Sequence, residues 1–474
     1  MAHRRGESRT QAALFPVMLD ELVGPDALVR VVDAWIGSLD LEKLGFSKTH
    51  AQRMSRPPYD PADLLKLYVC GYLNGVRSSR ALERECHRNV EVMWLLGRLA
   101  PDHKTIAEFR RQNSAALVAV SAAFVQFARQ ERLIRGELVA IDGTKIRAVA
   151  SKKALRNKID LQRTRETITE EISQYLSRLD STDQSENGED ANPCAVQSAL
   201  MRLQQRQGEF NDEIERLENS RSTLSIQGEP EARAMKALDS APGYNLQTAV
   251  DAHSHLIVHH AVCNDTSDIG QLAPMAQGAA QALEAAPTVV ADAGYANSQH
   301  LQSLADAGQT AYVATLEKDN NHGKGEYYRL TAFTYDREHD CYVCPANELL
   351  TRKQVMRKDK CVVYTAPAET CGACTLKPQC TGARQRFVRR LDNTDAVDAN
   401  ARRVAAHPEM MKLRRRTAEH PFATIKHEIL RNSRLLMRGL KGAAGELSLA
   451  VLAYNLKRVT NWKGAGWALS AVQA

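Results

Sequence analysis

The sequence predicts an α/β (α+β) protein, a mixed sheet flanked by helices with an all-helical region in front of it. Three observations carry this. Residues 17–132 repeat apolar positions at helical spacing and contain no strand-like run. From residue 138 to 314, short apolar runs alternate with helical stretches. Leaving out one helical insertion, the order there is β-β-β-α-β-α-β, from which mixed sheets with flanking helices are built.

The spacing predicts helices over 17–38 and 61–75, the second opening at Pro61, where a first-turn proline is tolerated. A further helix is expected from Ser79 to Cys86. Pro101-Asp102-His103-Lys104-Thr105 offers capping residues and leads into a long helix towards Arg132. Residues 1–132 therefore read as an N-terminal helical domain. Its Arg77-Ser78-Ser79-Arg80 turn suits either a DNA-binding module or a packing scaffold.

Leu138-Val139-Ala140-Ile141-Asp142-Gly143-Thr144 reads as a buried strand with a carboxylate at its end. Residues 152–223 place Ile159, Leu161, Ile168, Ile172, Tyr175 and Leu179, then Leu200, Leu203, Phe210, Ile214 and Leu217, at helical spacings around a polar break from Asp183 to Pro193. An antiparallel helical hairpin, with structural support as its default role, is expected there. Tyr244–Asp251 and His255–Val262 form a β-hairpin. A helix over 268–286, a second Asp-terminated strand Thr288-Val289-Val290-Ala291-Asp292, a helix over 297–307 and a strand Ala311–Ala314 complete the series.

Composition narrows the class. With 474 residues, 43% hydrophobic and 25% charged, the chain is neither collagenous, low-complexity nor wholly disordered. No apolar run approaches the ~20 residues that span a bilayer, and Met1–Glu7 leads into no signal-like segment. The expectation is an intracellular, cytoplasmic protein with no membrane partner. Residues 381–474 hold 18 Lys and Arg against 7 Asp and Glu, while residues 1–380 hold 45 against 49. The whole excess behind the net charge of +7 lies in the last fifth. Such a stretch favours a polyanion, because phosphate neutralisation releases condensed counterions.

Asp142 and Asp292 end similar strands. If those strands are neighbours, both carboxylates emerge at one sheet edge and can hold Mg²⁺, which prefers carboxylate, water and phosphate oxygens. For either Asp alone, a turn-capping role competes well. A third acid shifts the balance. Arg415-x3-Glu419-x6-Lys426 places Arg415 and Glu419 at i and i+4 on a helix, with Lys426 two turns further on nearly the same face. One helix would then present a carboxylate between two cations in the most basic part of the chain. A surface ion-pair helix explains any one of those pairs.

These blocks resemble the insertion-sequence DDE transposases, in particular the group with a Tyr-x2-Arg-x3-Glu-x6-Lys signature. Asp142-Gly143-Thr144-Lys145-Ile146-Arg147-Ala148 is similar to the first-acid block, Gly243–Asp251 to the next strand and Ala291-Asp292-Ala293-Gly294-Tyr295 to the second-acid block. Arg438-Gly439-Leu440 and Tyr454-Asn455-Leu456-Lys457-Arg458 resemble the closing helices. Trp94-Leu95-Leu96-Gly97, Pro101–Ile106 and Phe109-Arg110 resemble the preceding helical domain. The resemblance implies a ribonuclease H-like fold over 133–316 plus 400–460, with a tail at 461–474. It also implies Mg²⁺ (or Mn²⁺) on Asp142, Asp292 and Glu419, and Arg415 and Lys426 at the DNA backbone. The signature's Tyr falls on Lys412, which can bind phosphate but cannot stack on a base. The implied partners are double-stranded transposon terminal repeats and target DNA, held by a homodimer. The competing reading is a non-catalytic DNA-binding protein derived from a transposase.

Within 317–399, Cys341-x2-Cys344 and Cys371-x2-Cys374-x5-Cys380 have the spacing of a zinc site that would let a loop-rich, core-poor insertion fold. The ligands expected are Cys341, Cys344 and Cys371 with Cys374 or Cys380. Cys70, Cys86, Cys194 and Cys263 read as packing residues. Asp142-Gly143-Thr144 also begins a haloacid dehalogenase-type phosphatase pattern, but Ala140 and Thr144 stand where a second Asp is required. His253, His255, His259 and His260 read as ordinary strand histidines.

Overall fold

The computed structural model describes residues 18–49, 58–184, 193–219, 223–314, 327–357, 361–391 and 393–473, without the side chains of 178–184 and 193–196. The start of the chain, the centre of the polar break, and the Leu179 and Cys194 side chains lie outside these. The chain divides into two compact units: 1–135, 143–266 and 419–474 in the first, and 136–142 with 267–418 in the second. Among the described residues no helix is long and apolar enough to cross a membrane.

The first unit is built around the helix Gly439–Lys463, buried from Gly442 to Leu456 with almost no interruption. A helix apolar on every side belongs in a core. It packs on the helices Ser114–Gln130 and Pro61–Leu73 and on the strand Ile257–Cys263. Its Gly445 permits close approach, since a Cβ there would sit 2.8 Å from the Ser114 Cα. Pro61–Leu73 starts as expected, with Pro61 in the first turn and the Asp60 carboxylate accepting from the Ala62 N–H. Two expectations change. The helix over 17–38 begins only at Leu28, after Gly24-Pro25, with a 3₁₀ turn at Leu19–Leu22 before it. The long helix towards Arg132 is two helices, His103–Gln112 and Ser114–Gln130. Buried Asn113 breaks it, accepting from the Ser47 N–H and Oγ and donating to the Phe109 carbonyl.

The strand Ala241–Asp251 pairs antiparallel with Arg233–Met235 and with Ile257–Cys263. Asn455 closes this edge, accepting from the Ile257 N–H and donating to the Ile257 carbonyl, both at 2.9 Å. The inserted helices Lys158–Gln184 and Pro193–Asn219 bury Leu161, Ile168 and Ile172 against Phe210, Ile214 and Leu217. Ile159, expected on that stripe, is exposed.

The second unit contains a parallel set. The start of the strand Leu138–Arg147 pairs with Thr288–Ala291, which pairs with Ala311–Val313. Around them lie the helices Leu272–Leu283, Ser298–Asp306, Thr394–Ala406 and Glu409–Ala418. Asn400 reads the end strand from its helix, bonding the Val313 N–H and carbonyl.

The Cys-rich insertion departs from expectation. It is a five-stranded antiparallel sheet of Thr334–Asp336, Cys341–Val343, Leu349–Met356, Cys361–Thr365 and Phe387–Leu391. Phe333, Tyr342, Leu350, Tyr364, Ala366 and Val388 form its core. Its tyrosines are contributed from separate strands, so their clustering is invisible to local periodicity. The segment is not core-poor.

Candidate active site

Parallel pairing places the first two acids. Leu138, Val139 and Ala140 lie opposite Thr288, Val289 and Val290. The same register offset sets Asp142 beside Asp292, but only Asp292 follows a strand end; the strand expected to stop at Asp142 runs on to Arg147, so Asp142 projects from its interior. Asp292 also caps a turn. Its Oδ1 accepts from the Gly294 N–H at 2.8 Å. A Cβ at Gly294 would lie 3.0 Å from that oxygen, which suits glycine there. The capping role and the site role therefore use different oxygens of one carboxylate.

The other oxygen faces Arg414. The Arg414 Nη2 donates to Asp142 Oδ2 at 2.7 Å and approaches Asp292 Oδ2 at 3.4 Å. The helix Glu409–Ala418 brings it there. Ala418 and Met410 pack with Ala140 and Val290, which stand two residues before the two aspartates. Met410, Arg414 and Ala418 are spaced by four and share one helix face. Sequence reasoning missed Arg414 because it followed the face of Arg415 and Glu419. The signal available was the Met410–Ala418 stripe on which Arg414 lies.

Lys412, Arg415 and Glu419 are exposed. The α-helix ends at Ala418, with Glu419 at a bend before Pro421. Proline lacks an N–H and clashes with the preceding turn. A short helix His420–Ala423 follows, then a π-helical turn Thr424–Ile429 that holds half-buried Lys426. The expectation that an unbroken α-helix aligns Glu419 and Lys426 is therefore corrected, because a π-turn changes the angular step per residue.

In the first unit, Glu419's neighbour His420 is held firmly. Its Nδ1 meets the Tyr454 hydroxyl at 3.0 Å, and that hydroxyl donates to the His255 carbonyl. Burial, helped by nearby Arg458, lowers the His420 pKa and favours the neutral ring. Downstream, buried Arg77 donates to Glu446, to the Arg434 carbonyl and to the Asn432 side chain. Glu446 also accepts from the Leu436 and Met437 N–H groups. Arg77 of the Arg-rich turn is thus a structural clamp.

Two family models match the chain. One described as a transposase domain (DUF772) covers residues 17–112. One described as a transposase DDE domain covers residues 343–460. Both are transposase domains, and together they support an insertion-sequence DDE transposase. No curated protein matches it. The second match takes in the transposase's Arg415, Glu419, Lys426 and Asn455. The mixed sheet and flanking helices agree with a ribonuclease H-like catalytic domain.

Among the described residues of the transposase, no group of three or more His, Cys, Asp or Glu side chains is arranged to hold a metal ion. Asp142 and Asp292 nonetheless suit one in their chemistry. They are hard oxygen donors, and one cationic group already lies against both. The cysteines divide. Cys344, Cys371, Cys374 and Cys380 line one cavity of about 30 Å³. Burial pushes the Cys380 thiol up, Arg386 opposes this, and the other three sulfurs add to it. Cys341 is not among the cavity's lining residues. Burial and nearby Asp336 and Asp340 push its thiol up.

Proposed function

We propose that this transposase cuts DNA at the ends of its element and joins them to a target, using a divalent cation held by Asp142, Asp292 and Glu419. The observation that carries this reading is the parallel register that sets Asp142 and Asp292 beside each other on adjacent strands, facing one cationic group. Glu419 is proposed as the third ligand because Ala418, its chain neighbour, packs with the residues just before both aspartates. Mg²⁺ or Mn²⁺ on these carboxylates supplies activation of the attacking oxygen and charge stabilisation for the leaving one. Exposed Lys412 and Arg415, with Lys426, then hold the DNA backbone as phosphate ligands. Water attacks a phosphodiester at the element's end and releases a 3′-hydroxyl. That hydroxyl attacks the target by the same in-line route, and no protein–DNA bond forms. Two ends must meet, which calls for a homodimer.

The test is cleavage of duplexes carrying the element's terminal inverted repeats, with Mg²⁺ or Mn²⁺. Wild-type protein should leave free 3′-hydroxyl ends. Asp292→Asn and Glu419→Gln should drop cutting to background while retaining DNA binding. Tight binding with no cutting by the wild type would establish the non-catalytic reading instead.

The four-thiol cavity supports a second, structural role. We propose that Cys344, Cys371, Cys374 and Cys380 take a zinc ion, with Cys341 excluded from the set. Metal analysis of purified full-length protein should find about one zinc per chain, the count for a single four-thiolate site. Cys371→Ser should remove it, whereas Cys341→Ser should not.

A further inference from the structure

We propose that Arg414 and the divalent cation compete for the same carboxylate oxygens, so that Arg414 sets the transposase's metal affinity. The inference rests on Asp142 and Asp292 being ion ligands. It concerns a residue outside the Arg415-Glu419-Lys426 motif and gives it a task distinct from phosphate binding.

The geometry leads there directly. One nitrogen, Arg414 Nη2, lies 2.7 Å from Asp142 Oδ2 and 3.4 Å from Asp292 Oδ2. Those are the oxygens turned towards the shared edge, since Asp292 Oδ1 is committed to the Gly294 N–H. A hard divalent cation held by these two carboxylates would draw on the same oxygens that Arg414 faces. Each oxygen keeps a second lone pair, but a guanidinium held at hydrogen-bond distance crowds the approach to it and sets a fixed positive charge beside the ion. Guanidinium does not deprotonate within a protein, so neutralisation cannot relieve the conflict. Two positive groups would repel in a site where the Arg414 and Asp142 side chains are only 12% and 14% exposed.

The arrangement also permits exchange. Arg414 sits on a helix anchored by Met410 and Ala418 on either side of it. Its long side chain can leave the aspartates by rotamer change without moving that backbone. The Asp292 side chain is 44% exposed, which gives an entering ion a path. Arg414 thereby offsets the mutual repulsion of two nearby carboxylates, at the cost of weaker ion binding.

Mn²⁺ binding to the full chain, measured calorimetrically without DNA, tests this for wild type, Arg414→Gln, Asp142→Asn and Asp292→Asn. Either aspartate change should weaken Mn²⁺ binding, and Arg414→Gln should tighten it about tenfold, a factor worth ~1.4 kcal/mol. In EDTA, Arg414→Gln should melt at a lower temperature than wild type, and Mn²⁺ should raise its midpoint by more. Arg414→Lys keeps the charge on a shorter-reaching group and should give intermediate affinity, so the test stands even if the Gln variant folds poorly. Equal or weaker Mn²⁺ binding by both Arg414 variants, with aspartate dependence intact, overturns the competition while leaving the ligand assignment standing. Mn²⁺ binding that ignores both aspartate changes overturns the assignment and the inference with it.

Discussion

Arg77 and Arg414 both face carboxylates, and the difference between them separates a structural contact from a functional one. Arg77 and Glu446 are 6% and 0% exposed in their side chains, and Glu446 spends its second oxygen on two backbone N–H groups. Arg77 adds a backbone carbonyl and an asparagine side chain. The result is a closed network that ties Asn432 and Arg434 to the core helix. Arg414 instead spreads one nitrogen over two aspartates, at one short and one long distance, beside a carboxylate that water reaches. A buried pair whose hydrogen bonds are satisfied holds a loop in place. A pair of acids sharing one cation on a half-open edge is suited to exchanging it.

The largest effect should come from breaking the closed network. Arg77→Ala leaves Glu446 buried without its charge partner and should cost about 3–5 kcal/mol in denaturant unfolding. Arg414→Gln in EDTA should cost less, because Asp292, the second acid it faces, is 44% exposed and water can reach that edge once the guanidinium is gone. Comparable losses for the two would erase the distinction drawn between them.

Between those extremes lies a pH effect in the first unit. Burial, with a smaller contribution from His259, pulls the His260 pKa from 6.5 down to about 3. Its Nε2 meets the Ser448 hydroxyl at 2.7 Å, and that hydroxyl donates to the Ala444 carbonyl, so Nε2 carries the proton donated to Ser448. The unfolded chain binds a proton that the folded chain refuses. The stabilisation is therefore complete above pH 6.5 and is lost as pH falls from there towards 3. Urea midpoints measured across that window should fall less steeply for His260→Gln than for wild type. Parallel slopes would remove His260 as a source of the acid sensitivity.

Much of the fold was readable locally. Asp60-Pro61, the apolar runs before Asp142 and Asp292, and the leucine and isoleucine spacing of the inserted helices all act over a few residues, where periodicity and capping operate. The failures have specific causes. Asn113 split a helix because Ser47, far away in sequence, supplied its partners. The insertion's tyrosine core was hidden because each strand contributes one or two members. The continuous α-phase assumed past Glu419 did not survive Pro421 and the π-turn.

The sequence by itself determined which residue types were on hand: two aspartates each preceded by a short apolar run, a third acid among cations, and two pairs of closely spaced cysteines. It determined their local conformations wherever short-range hydrogen bonding and apolar spacing set them. Only the tertiary structure decided that Asp142 stands in register with Asp292, that Arg414 rather than Arg415 lies against both, and that Cys341 is excluded from the four-thiol cavity. Those choices depend on strand pairing and helix packing between segments more than a hundred residues apart in the aspartates' case. No local pattern encodes the energy of contacts made only after the chain has closed on itself.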